Sequence, residues 1–472
     1  MATFIGRLHK DWYRVFARKS TIDLVAKSFK HGSYREERQV RLPTFPLQLT
    51  VLLALGAISV GASVVGTNPP SQPVTAERIA TLPHAQQAAW KAYLEKSQRQ
   101  MQLDKDTLHA EQVKAGPTTQ AFPPHGSNAR SIPLNKDAAW YAGPEAAHIA
   151  DVVLSFQTPS GGWSKNIDMS KTPRQPGQPY MAGPDATAGL ATPDDFGRVS
   201  DSHWGYVGTI DNDATITQLH YLAKIATATG TAGAKYRAAF LHGIDYLLSA
   251  QYPNGGWPQI WPLAGGYHDG ITYNDDAMIQ VMELLQASAD GHDEYAFVPA
   301  EVRKRAAASV QRGIQCILAT QIVVSGTRTA WIQQYDPLTM KPTSARNYEM
   351  PAISAGESSG ILLFLMALPH LTATEIGAIN TGIAWLKKVA IHDAVWKPTP
   401  SGRDLVPTPG AGLIWARYYE IGTDRPLFGD RDKSIHDKVT EISLERRNGY
   451  AWYGIAPREA LKQYDEWHIA HP

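Results

Sequence analysis

The chain has 472 residues, 43% of them hydrophobic and 19% charged, and 45 Lys+Arg against 44 Asp+Glu leave a formal net charge of +1. This composition excludes a disordered, collagen-like or polytopic membrane protein, and the balanced charge removes the global field that draws proteins onto nucleic acid. A single cysteine, Cys316, excludes an internal disulfide framework and any multi-cysteine zinc site.

Residues 1–41 carry ten Lys/Arg against four Asp/Glu, and residues 42–76 carry no charge at all. Residues 1–44 therefore read as a basic leader. Residues 45–66 (FPLQLTVLLALGAISVGASVVG) form an apolar run of about the 20 residues that cross a bilayer as a helix. A buried core helix would show polar residues at helical period, and this run has only Gln48, Thr50 and serines. Basic residues before the run place the N-terminus inside and deliver the rest to the periplasm or the exterior. The run is either an uncleaved signal anchor or a signal peptide, cut near Gly61-Ala62-Ser63 or Val74-Thr75-Ala76. Residues 67–84 open with TNPPSQP and read as a linker, followed by a folded body over residues 85–472.

Within the body, apolar residues at three- and four-residue spacing predict helices over 88–110, 136–156, 214–229, 236–250, 277–289, 300–320, 359–368 and 374–391. Strand-like runs are few and short, so the fold class is all-α. FQTPSGGWSKN (156–166) recurs as AQYPNGGWPQIWP (250–262), and TIDNDATITQL (209–219) recurs as TYNDDAMIQVM (272–282), with GESSGILLFL (356–365) a looser third copy. The repeating unit is a helical hairpin with a Gly-Gly-Trp turn after one helix and an acidic loop before the other. One hairpin cannot bury its own apolar face, so such units stack. The expected architecture is an α/α toroid of about three helical hairpins, with long functional loops on one rim where a polysaccharide would bind.

Asp211-Asn212-Asp213 and Asn274-Asp275-Asp276 each hold more oxygen donors than a helix cap needs. Carboxylate, amide and backbone oxygens are the donors Ca²⁺ prefers, and no His/Cys set stands at zinc spacing. Arg346, in the loop SARNYEMP (344–351), suits either a substrate carboxylate or an ion pair with Glu349 or Glu357. Lys165 is either solvated or grips a uronate. Trp163 and Trp257 are either wedges under their turns or stacking platforms for sugar rings. No Ser/His/Asp, phosphate-loop or HExxH pattern stands out.

Six segments carry a resemblance to a known family: GGWSKN, TIDNDATITQLHYLA, NGGWPQIWPL, GYHDGITYNDDAMIQVMELL, AWIQQYDPLTMKPTSARNYEMPAISAGESSGILLFLM and WARYYEIGTDRPLFGDRD. Together, and in this order across residues 85–472, they resemble pectate lyases of polysaccharide lyase family 10. The resemblance implies the α/α toroid and calcium-dependent cleavage of α-1,4-linked polygalacturonate by anti-β-elimination, giving 4,5-unsaturated oligogalacturonides. It gives Arg346 the place of the base that removes the C5 proton, and Asp211, Asn212 and Asp275 those of Ca²⁺ ligands. Lys165 and Arg417 match positions that contact substrate carboxylates, with Trp163 and Tyr348 as further substrate-binding candidates. Residues 172–197 carry no motif. The expected partner is pectin, handled by a monomer. Arginine is an awkward base, its solution pKa exceeding about 12, so an alkaline activity optimum is expected. Two competing readings are an inverting glycoside hydrolase using Asp211 and Glu357, and a noncatalytic pectin-binding module built on the Trp loops.

Overall fold

A computed structural model describes residues 63–116, 121–183, 195–197, 201 and 203–470. The leader and residues 45–62 of the apolar run lie outside the described residues. Among the described residues no helix is long and apolar enough to cross a membrane.

The helical periodicity resolves into α1 (His84–Ala115), α2 (Pro144–Ser155), α3 (Ile216–Ala228), α4 (Ala234–Ala250), α5 (Ala277–Asp290), α6 (Ala300–Thr320), α7 (Ala355–Ala367), α8 (Ala373–Lys388) and α9 (Pro457–Ala470). The helix expected over 136–156 is split into Ala138–Tyr141 and α2, because Gly143 and Pro144 stop one helix and open the next. The helix expected to reach residue 391 ends at Lys388, where the strand Ile391–His392 and a hairpin of Ala394–Thr399 with Gly402–Pro407 follow. The periodicity did not reveal α9, whose charged residues outnumber its buried ones, Pro457, Ala460 and Trp467.

In space the helices form two layers. α3, α5, α7 and α9 are successive neighbours in one layer, and α2, α4, α6 and α8 in the other. α3, α5 and α7 bury almost every face, which makes theirs the inner layer. This is the α/α toroid, and a fourth pair, α8 with α9, joins the three expected.

Four buried tryptophans tie the layers together, one after each outer helix. Trp163 Nε1 donates to Val153 O of α2, Trp257 to Leu247 O of α4, Trp331 to Ile317 O of α6 and Trp415 to Leu386 O of α8, each at 2.8 Å. The first three rest on a glycine of the next outer helix: a Cβ at Gly243, Gly313 or Gly382 would come within 3.2, 3.2 and 3.1 Å of the respective indole. A glutamine at the end of each of the first three outer helices adds a second tie. Gln157 Nε2 donates to Ala239 O at 2.9 Å, Gln251 Nε2 to Ser309 O at 2.9 Å, and Gln321 Nε2 to Ala378 O at 3.0 Å, always reaching the following outer helix. Gly161 and Gly255 make the first two turns possible, with φ of 102° and 93° that a side chain would strain.

The stretch before α1 differs from the expectation. β1 (Val64–Thr67) is the edge of a five-stranded antiparallel sheet with β2 (Ile353–Ser354), β3 (Tyr418–Tyr419), β4 (Pro426–Gly429) and β5 (Ser434–His436), in the order β1-β5-β4-β3-β2. The end of the apolar run is thus a strand, with Val64 opposite His436 and Thr67 opposite Ser434. The following residues are packed rather than free: Asn68 and Val74 are buried, Val74 N donates to Asp269 Oδ2 at 2.9 Å, and Arg78 pairs with Asp336 at 2.5 Å. Pro69, Pro70 and Pro73 carry no backbone donor, so fewer bonds are needed to dock this run.

Candidate active site

The acidic loops are placed by a backbone pattern that repeats three times. Thr209 N donates to Trp163 O at 2.9 Å, Thr272 N to Trp257 O at 3.1 Å, and Ser354 N to Trp331 O at 2.8 Å. The next residue of each loop reaches the following repeat: Ile210 N to Gln259 O at 3.1 Å, Tyr273 N to Gln333 O at 2.9 Å, and Ala355 N to Arg417 O at 3.3 Å. Each loop is therefore fixed both to its own tryptophan and to the residue two positions after the next one. Lys165, Gln259, Gln333 and Arg417 all occupy that position, and all four line the cavities beside the acidic loops.

The loops then turn back sharply. Asn212 and Asp213 have φ of 52° and 59°, and Asp275 and Asp276 have φ of 50° and 62°. Asn and Asp tolerate this left-handed region better than other non-glycine residues, and the surrounding bonds must over-determine it. Around the first loop they do: Thr215 Oγ1 donates to Thr209 O at 2.8 Å and accepts from Trp163 N at 3.0 Å.

Lys165, Asp211, Asn212, Asn274, Asp275, Gln333, Arg346 and Glu349 line one cavity of about 220 Å³. A second, of about 210 Å³, is lined by Glu357 and Arg417 and shares Asp275 with the first. Lys165 Nζ lies 2.5 Å from Asp211 Oδ2 and over the Tyr206 ring, 3.5 Å from its centroid. Burial pushes the Asp211 carboxyl up, but Lys165, with Arg346 and His268 behind it, more than offsets this and the net shift is down. Arg417 Nη2 bonds Glu357 Oε1 at 2.8 Å and stands 3.3 Å from both Asn274 Oδ1 and Asp275 Oδ1. Burial raises the Glu357 carboxyl, Arg417 opposes it, and Asp275 adds to the rise.

Arg346 grips Glu349 through two nitrogens, Nε at 2.8 Å and Nη2 in the same fork. Burial works against ionising Glu349, yet Arg346 holds its carboxyl down at about 2. In return, burial notwithstanding, Glu349 holds the Arg346 guanidinium well above its ordinary range. The sequence had left Arg346 open between a carboxylate ligand and an ion pair; it makes the ion pair and lines the cavity as well.

A model of the pectic acid lyase family matches residues 157–461. The chain belongs to that family, as a pectate lyase of polysaccharide lyase family 10. Among solved structures, a family 10 polysaccharide lyase from Cellvibrio cellulosa is 30% identical with a TM-score of 0.59, covering 74% of this chain and 99% of its own. A mutant of that lyase in complex with trigalacturonic acid is 30% identical, again with a TM-score of 0.59, covering 73% of this chain and 99% of its own. A search of curated proteins found no match. Family membership sets aside the hydrolase and the noncatalytic readings.

Two of the lyase's expected substrate residues are placed elsewhere. Trp163 is 0% exposed and has no ring face to offer a sugar; it is the wedge between α2 and α4. Tyr348 is buried and is absent from the cavity lining, its ring covered by Arg446 at 4.5 Å and Arg346 at 5.0 Å. Lys165 and Arg417 do reach the cavities, each already paired with a carboxylate.

The donor set of the pectate lyase suits a hard cation. Asp211, Asn212, Asn274 and Asp275 offer only oxygen ligands to one cavity. Burial raises the neighbouring Asp213 carboxyl, and Asp275, Asp211 and Asp276 raise it further, a mutual repulsion that a dication would relieve. Among the described residues no three His, Cys, Asp or Glu side chains converge as a cage, so such a cation would draw ligands from amides and from the substrate carboxylate too. Glu349, Gln333 and Gln259 line the site without having been singled out for it. Their signals were the position two after a tryptophan and, for Glu349, the three-residue spacing from Arg346.

Proposed function

We propose that this pectate lyase cleaves α-1,4-linked polygalacturonate by anti-β-elimination, releasing 4,5-unsaturated oligogalacturonides, with Ca²⁺ as its cofactor. The observation that carries the reading is the presence of Arg346, Lys165, Asp211 and Asp275 around one cavity. The trigalacturonic acid bound by the Cellvibrio relative supports an oligogalacturonate as the ligand class.

The C5 proton of a galacturonate is weakly acidic because it stands beside the carboxylate. In this reading the neutral form of Arg346 takes that proton, the C5–H electron pair becomes the C4=C5 double bond, and the C4–O bond to the next sugar breaks. The leaving oxygen takes its proton from water. Glu349 engages Nε and Nη2 of Arg346, and Nη1 makes no hydrogen bond among the described residues, which makes Nη1 the atom that receives the proton. Because Glu349 keeps the guanidinium charged, the neutral form is scarce and the rate rises with pH. Lys165 and Arg417 are cations in the two cavities and neutralise uronate carboxylates there. Asp211, Asn212 and Asp275 would hold Ca²⁺, which when bound offsets the charge that grows on the carboxylate as the proton leaves. The basic leader and apolar segment would carry this body out of the cytoplasm.

The test is ultraviolet absorbance during incubation with polygalacturonate at alkaline pH, with calcium or with a chelator. Elimination creates a conjugated double bond that hydrolysis does not. Absorbance that rises only with calcium is expected. Reducing ends without absorbance would refute elimination, and absorbance indifferent to the chelator would refute the calcium role.

A further inference from the structure

Asn68 lies in the run expected to be a linker, yet it is 1% exposed and every polar atom of its side chain is used. Its Nδ2 donates to Arg346 O at 3.0 Å and to Asn347 O at 2.9 Å, and its Oδ1 accepts from Ser344 Oγ at 2.6 Å. One amide thus grips the loop at residues 344, 346 and 347. Asn68 is itself anchored to the sheet, because its backbone N donates to Lys433 O at 2.8 Å and β1 pairs with β5 just before it. From the opposite side the loop is held by Glu349, whose carboxylate takes Arg346 N at 3.0 Å and whose backbone N donates to Arg346 O at 2.8 Å. The backbone of Arg346 is clamped between a side chain from its own loop and one from far along the chain.

We propose that Asn68 is a positioning residue for the lyase reaction: it fixes the backbone of Arg346 and Asn347 and so sets where the Arg346 guanidinium stands in the cavity. The inference rests on the reading of Arg346 as the base. Asn68 is absent from the cavity lining, so it acts through the loop that carries Arg346. Lys165 and Arg417 are held by other partners, Asp211 and Glu357, and would keep their places without it. Its loss should therefore slow proton removal while leaving substrate binding intact. A displacement of about 1 Å at a reacting group costs about a hundredfold in rate.

The experiment compares the full chain with Asn68→Leu, which fills the space without the hydrogen bonds, with Ser344→Ala, with Arg346→Ala, and with each of the first two in the Arg346→Ala background. Turnover on polygalacturonate and melting temperature are measured for all. Asn68→Leu is expected to lower kcat by about ten- to a hundredfold with KM changed by less than about twofold. Ser344→Ala should move kcat in the same direction by less. Neither should lower the residual rate of Arg346→Ala further, because a positioning residue has nothing left to position. Unchanged kcat with a lower melting temperature would overturn the proposal, as would losses that add in the Arg346→Ala background. If Asn68→Leu does not fold, Ser344→Ala decides by the same two criteria. Full turnover in Arg346→Ala would instead refute the base itself, a distinguishable result.

Discussion

At the residue scale the proposed chemistry turns on the ion pair of Arg346 with Glu349. Arg346→Ala should lower turnover by about a hundred- to ten-thousandfold, the usual contribution of a positioned proton-transfer group, with melting temperature recorded as the control for folding. Full activity would remove Arg346 from the reaction. If Arg346 is the base, as proposed, Glu349 sets the pH at which it can act. Its carboxyl is held at about 2, so it is charged across the working range and keeps the guanidinium protonated. Glu349→Gln removes that charge and lowers the Arg346 pKa, so the rising limb of the kcat–pH profile should move to lower pH, even where maximal kcat falls. An unmoved limb would mean that the titration limiting the rate belongs to another group. The acidic residues of both loops were legible because each cluster holds more oxygen donors than a helix cap needs, and Arg346 through the family resemblance. Glu349 was legible only as one of two alternatives. The burial of Trp163 was not legible, since a Gly-Gly-Trp turn looks alike with the indole turned inward or outward.

At the element scale the unit is the turn after each outer helix. The sequence showed Gly-Gly-Trp twice, while the structure has the tryptophan four times with the same bond to the preceding helix. The last two were hidden because they lack the glycine pair, their turns being built instead from the strand pair Val323–Val324 with Thr327–Arg328 and from the hairpin after α8. What repeats is thus a packing relation, and residue identity only where the backbone demands it. Gly255 is such a place. Its φ is 93°, and a Cβ there would run into the carbonyl of Arg312 on α6. Gly255→Ala combines left-handed strain with a backbone clash and should cost about 3 kcal/mol in denaturant unfolding. A loss below about 1 kcal/mol would show that the turn and α6 can separate freely. The site would feel the change, since the same turn leads into Trp257 and Gln259, whose carbonyls hold Thr272 and Ile210.

At the scale of the whole molecule the docking of residues 64–82 bears on where the chain would begin if it is exported, as proposed. Helical period and the GGW repeat made most of the toroid readable, but the sheet and the docking of residues 64–82 were not, because strands of two to four residues carry no period and the partner of β1 lies hundreds of positions away. That docking separates the two cleavage positions which the sequence left open. A cut near Gly61-Ala62-Ser63 leaves β1 and Asn68 on the mature enzyme. A cut near Val74-Thr75-Ala76 removes both, strips the edge from the five-stranded sheet and leaves the carbonyls of Arg346 and Asn347 and the Ser344 hydroxyl without the Asn68 bonds. Arg346 O keeps its bond from Glu349 N, but each buried polar group that does lose its partner costs about 1–3 kcal/mol, so the second product would carry a loosened Arg346 loop as well as a weakened sheet. If the segment is processed, N-terminal sequencing of active enzyme recovered from outside the cytoplasm should therefore begin at or before Val64. An active mature chain beginning at residue 75 or later would show that neither β1 nor the Asn68 clamp is needed for catalysis.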